Sequence, residues 1–134
     1  MCLIAIDERL KPNKREVRAW GVFRRGYGSG AETFYTAVYQ EFVPPNVWHK
    51  AHGFAGVTYL RLDAAPYTHY PFGFHKFATR HAAQRCMESY YELKDCCVRP
   101  VVLRDVRVVG KQKTDGRRYK CYVAKEMLVP EVKK

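Results

Sequence analysis

Hydrophobic and polar residues alternate along much of this chain, the two-residue period of strands with one buried face. From Val17 to Arg25, Val17, Ala19, Gly21 and Phe23 fall on one face and Arg18, Trp20, Val22 and Arg24 on the other. Glu32 to Phe42 is rich in Tyr, Phe, Thr and Val and predicts a second strand, ended by Pro44-Pro45. Shorter strands are expected at Cys2 to Ile6, at Val57 to Leu62 and at Gly73 to Phe77. Val101 to Val109 and Arg118 to Val129 form a further pair, with Asp115-Gly116 between them as a hairpin turn signal. Arg9 to Arg15, Gly26 to Gly30 and Asp63 to Pro71 are expected loops.

One stretch changes period. Ala82, Ala83, Cys86, Met87, Tyr90 and Leu93 repeat at spacings of three and four, with Thr79 placed as an N-cap, so a helix is predicted over about 80–93. The expected fold is a single α+β domain over residues 1–134, a mixed, mostly antiparallel sheet with this main helix packed on one face. A chain of 134 residues buries a core without disulfide or metal staples.

Charge alters that plain picture. Lys and Arg number 24 against 13 Asp and Glu, a net +11. A field of that sign attracts polyanions and opposes contact between copies of the chain. The five cysteines are odd in number, and the apolar run Met1 to Ile6 is too short for a secretory signal before the charges of Asp7, Glu8 and Arg9. The expectation is a cytoplasmic protein with reduced thiols and no membrane segment.

The cations cluster. Lys111, Lys113, Arg117, Arg118 and Lys120 flank the Asp115-Gly116 turn, with Arg104 and Arg107 on the strand before it. Lys14, Arg15 and Arg18 form a second set, together with Lys11. A two-stranded ribbon of this kind can track a phosphate backbone, so these residues are candidates for binding nucleic acid or an acidic partner surface. Arg25, Gly26, Gly28 and Gly30 are a candidate anion-binding loop, although the Lys-Ser/Thr of a nucleotide-binding P-loop is absent. His49 and His52 have a His-x-x-His spacing, but no Cys-x-x-Cys pair accompanies them, and neither metal nor cofactor is expected.

Taken in order, Met1-Cys2-Leu3, Val17 to Phe23, Gly73-Phe74-His75-Lys76-Phe77 and Tyr122 to Met127 resemble a loose group of small, uncharacterised proteins of phages and bacteria. Their shared features are the opening Met-Cys-Leu and a central Gly-Phe-His strand leading into a helix. The resemblance implies a phage or bacterial origin, a bacterial cytoplasm as the setting, and a role such as inhibiting a host complex. The order of elements is also similar, in residue type alone, to ADP-ribosyltransferase-like folds. That similarity implies a small nucleotide-binding enzyme with Arg24, His75 and Glu126 as catalytic candidates. The main expectation remains a non-enzymatic basic binding protein.

Overall fold

The structure is a computed structural model and describes residues 3–26, 33–36, 42–51, 59–61, 69–90 and 96–131. Among these described residues, ten strands and one helix follow one another. They are β1 (Ala5–Arg9), β2 (Glu16–Gly26), β3 (Thr33–Thr36), β4 (Phe42–Val43), β5 (Trp48–Lys50), β6 (Tyr59–Arg61), β7 (His69–Pro71), β8 (Phe74–Phe77), α1 (Arg80–Tyr90), β9 (Cys96–Thr114) and β10 (Arg117–Leu128).

The expected α+β class is overturned. The fold is mainly β: α1 is an 11-residue helix against strands of 11, 19 and 12 residues in β2, β9 and β10. Nor is the sheet mixed, since every pairing among the described strands is antiparallel. The physical reason lies at Pro100. The expected strand starts at Val101, one residue after this proline. Here Pro100 sits where β9 pairs with β2 alone, in register with Trp20, and β10 joins only from Val102. A residue without an N–H is tolerated on an edge with no neighbour. The strand therefore starts at Cys96.

β9 is shared by three partners. One edge takes β10 over 102–114. The other takes β2, from Cys96 to Arg104, and then β1, from Val108 to Lys111. β10 pairs onward with β8, and β8 meets β2 at Trp20 and Phe77. The circuit β9–β10–β8–β2 thus returns to β9, and the sheet curls closed.

Its inner face carries Ala19, Phe23, Cys97, Val101, Leu103, Val106, Ala124 and Met127 as one buried cluster, with Val17, Phe74, Val109 and Tyr122 against it. The outer face has two covers. Helix α1 lays Ala82, Ala83, Cys86 and Met87 over Val22, Phe77 and Cys96. Leu3 and Tyr70 cover Val108, Cys121 and Val123. The Val17/Arg18 alternation expected for β2 is thus the division between inside and outside.

Local chemistry places the turns. Thr79 Oγ1 accepts the Ala82 N–H at 3.2 Å, capping the helix. Asp115 and Gly116 both have positive φ, 51° and 74°, as a two-residue turn matched to strand twist requires. Asp105 also has positive φ, 58°. Its carboxylate accepts from Arg107 Nε and Nη2 at 2.8 and 3.1 Å and from the Asn13 N–H at 3.1 Å. That set holds the bend in β9 and ties down the basic loop between β1 and β2. His69 to Pro71, expected within a loop, is instead a short strand paired with β6.

Gly110 lets β1 lie close to β9, since a Cβ there would run into the Ala5 carbonyl oxygen and approach Leu3 Cδ1 within 2.9 Å. Gly110→Ala should therefore destabilise the fold by about 1–3 kcal/mol, measured by urea unfolding.

Candidate nucleic-acid interface

The β9–β10 hairpin extends past the point where the sheet closes. Register shows what its two faces carry. Val109 and Tyr122 are paired, and both touch the inner cluster. Two residues further, on the same face, Lys111 is opposite Lys120; two further again, Lys113 is opposite Arg118. The inner face therefore runs directly into a ladder of four cations. The rungs are about 6.6–6.8 Å apart along the ribbon, and the strands about 4.8 Å apart across it. Like charges directly opposite destabilise a hairpin. At the Lys111 rung a carboxylate relieves this, with Asp7 Oδ2 3.3 Å from Lys111 Nζ. Lys120 Nζ also lies 5.4 Å from the centre of the Tyr122 ring.

The other face of the ribbon is structural. Gln112 opposite Tyr119 and Thr114 opposite Arg117 turn toward α1. Tyr119 stacks edge-on against His81, and Cys121 Sγ donates to Gln112 Oε1 at 3.6 Å. Arg85 of α1 reaches Asp115 in the turn at 2.8 Å, bracing the hairpin tip against the helix. Arg117 thus belongs to a different face from Lys113 and Arg118, although all three were expected in one patch.

The remaining expected residues are dispersed. Arg104 is paired side-on with Glu126, at 2.8 and 3.1 Å, and its guanidinium lies 4.0 Å from the Trp48 ring centre. That hydrogen-bonded pairing raises the Arg104 pKa and lowers that of Glu126. Arg107 is engaged with Asp105. Lys14 and Arg15 are exposed on the loop pinned by Asn13, and Arg18 and Arg24 lie on the outer-face register of β2. Arg25 and Gly26 pair with Phe34 and Thr33 at the end of β2, whereas Gly28 and Gly30 lie outside the described residues.

His75 sits in a closed chain of hydrogen bonds. Gly73 O can only accept, so His75 Nδ1 carries the proton that reaches it at 3.1 Å. Nε2 then accepts from the Tyr70 hydroxyl at 2.9 Å, and the Tyr70 oxygen accepts the Leu3 N–H at 2.9 Å. Burial, aided by the charge of Lys76, lowers the His75 pKa to about 4. The neutral imidazole fastens the N-terminal segment to β7 and β8. Of the three enzymatic candidates, His75 and Glu126 are thus held by Tyr70, Gly73 and Arg104, while Arg24 is exposed on a separate strand.

Sequence reasoning missed Lys76. It lies on the inner face of β8, 8% exposed, in register with Tyr122. Its ammonium is 4.8 Å from the Phe23 ring centre. Burial lowers its pKa to about 8. The available signal was Phe74-His75-Lys76-Phe77, whose alternation puts the lysine on the side of Phe74.

Among the described residues, no group of three or more His, Cys, Asp and Glu side chains is arranged to hold a metal ion, and no helix is long and apolar enough to cross a membrane. No family model, curated protein or solved structure matches this chain.

Tyr70→Phe should cost about 1–3 kcal/mol in chemical denaturation, because it leaves both His75 Nε2 and the Leu3 N–H without their partner. The pH dependence follows from His75. An unfolded histidine takes a proton near pH 6.5, but the folded one resists until about 4. Between those values the unfolded state binds more protons, so stability should fall by about 1–3 kcal/mol as pH drops through that window. Melting curves of His75→Gln should lose this part of the slope.

Proposed function

We propose that this chain is a small basic binding protein that grips the phosphate backbone of nucleic acid along the inner face of the β9–β10 hairpin. The observation that carries this reading is the pair of opposed cations, Lys111 with Lys120 and Lys113 with Arg118. Four positive charges aligned by a ladder repel one another, and a polyanion relieves that repulsion. Their regular two-residue repeat suits a partner whose charges also repeat regularly. An acidic protein surface meets a patch with scattered charge and has no need of such a repeat.

The ribbon is well supported for this task. Arg85 braces its tip, and its base is continuous with the closed sheet. A rigid ribbon presents its cations without first having to be ordered. Contacts of this kind go to phosphates and carry little base readout, so the expected binding is strong in charge and weak in sequence preference. The cations of the loop between β1 and β2 and the outer-face Arg18 are not needed for it.

The face makes a sharper test than the charge. Lys113→Glu with Arg118→Glu should weaken binding to a labelled oligonucleotide at least about tenfold, read by fluorescence anisotropy, and flatten the dependence of log K on log salt by about 1.4–1.8. Arg117→Glu, on the helix-facing side, should do much less. Equal losses in both variants would mean that only net charge matters. Unchanged binding in the double variant removes the hairpin. Capture of an acidic protein by the nuclease-treated chain, with no affinity for oligonucleotides, transfers the face to a protein partner.

A further inference from the structure

The cationic ladder does not end at Tyr122. Across the strand pair from Tyr122, on the same inner face, stands Lys76. The sheet makes room for it at Gly21, where a Cβ would come within 2.8 Å of Lys76 Cδ and 2.9 Å of the Phe23 ring. A missing side chain on β2 is thus filled by the stem of a lysine from β8. The lysine head has an aromatic face beside it and, among the described residues, no hydrogen-bond acceptor. The titratable groups that act on its charge are the thiols of Cys121 on β10 and Cys86 on α1. Burial raises these to about 12 and about 11, so both are uncharged near neutrality. Nothing anionic among them balances the ammonium.

A largely buried lysine whose ammonium has no acceptor or counter-charge among the described residues is costly, and a ring quadrupole offsets only part of that cost. Hydrophobic residues of similar length would fill the same space more cheaply, as the surrounding Phe23 and Phe74 show. We infer that Lys76 is the inner seat of an anion-binding site, taking one phosphate group where the ladder of Lys111, Lys113, Arg118 and Lys120 enters the curled sheet. This deepens the nucleic-acid reading by naming a residue that binds a single phosphate in an enclosed position, with Lys120 the nearest rung along the same face. The seat differs chemically from the ladder. The rungs are exposed and screened by salt, whereas an enclosed charge is screened much less. Binding at Lys76 therefore persists at ionic strengths that strip the ladder.

The test uses the whole chain labelled with ¹⁵N and ¹³C in its lysines, with the Lys76 signal assigned by its loss in Lys76→Met. Inorganic phosphate is titrated at constant high ionic strength, and then a short single-stranded oligonucleotide with and without a terminal phosphate. The expected result is saturable movement of the Lys76 Nζ and Cε signals. The Lys76 titration midpoint should rise from about 8 by about one unit or more. A response to the phosphorylated oligonucleotide alone assigns the seat to a strand end; equal responses assign it to an internal phosphate. If Lys76 stays still, or drifts linearly with every other lysine, the seat is refuted. That result leaves the hairpin reading standing if Lys113→Glu with Arg118→Glu still weakens oligonucleotide binding at least about tenfold. Should Lys76→Met fail to fold, Lys76→Arg supplies the assignment, and the titration of the unaltered chain decides.

Discussion

A single strand, β9, hydrogen-bonds on both edges to three partners, and most of the structure is placed by that fact. Its length alone would make a flat ribbon. The bend at Asp105 prevents this, because the left-handed residue redirects the strand while Arg107 and Asn13 hold its carboxylate. β2 and β1 then follow one another along the same edge, and the opposite edge is free for β10. Closure through β8 follows, and so does the separation of an enclosed inner face from an outer face that α1 and Tyr70 cover.

The same geometry sorts the charge. A net +11 describes a whole surface, but the pairing distributes it into sets with different roles. Arg104, Arg107 and Arg85 are joined to Glu126, Asp105 and Asp115, and they shape the scaffold. Arg85–Asp115 is exposed and the other two pairs are partly buried; an exposed pair contributes little stability singly, and the value of all three is directional, since each fixes a bend, an edge or a hairpin tip. Of the ladder cations, Lys111 has an acidic neighbour in Asp7. Lys76 has none among the groups that act on its charge.

Much of this was legible in the residues, and the failures have causes. The alternation in β2, the Asp115-Gly116 turn and the Thr79 cap are local features, and each is where local chemistry puts it. The class differs from the expected α+β because β9 runs through Pro100 and Gly110, beyond the expected Val101 to Val109, and neighbouring strands decide whether such residues interrupt a strand. The basic residues could be counted but not divided by face across strands, since register is a long-range property. Arg117 and Arg118 are adjacent in sequence and point to opposite sides. Lys76 was hidden for a related reason: its neighbour Gly21 is 55 positions away, and only the meeting of β2 and β8 brings them together.

That meeting ties two positions into one. Any side chain at 21 would need the lysine stem to move, and any short residue at 76 would leave a void beside Phe23. Replacing either alone is penalised, whereas exchanging small-with-long for long-with-small conserves volume. Related chains that diverge here should therefore change both positions together, and one that keeps the volume but drops the amine would retain the architecture while losing the charge at its centre.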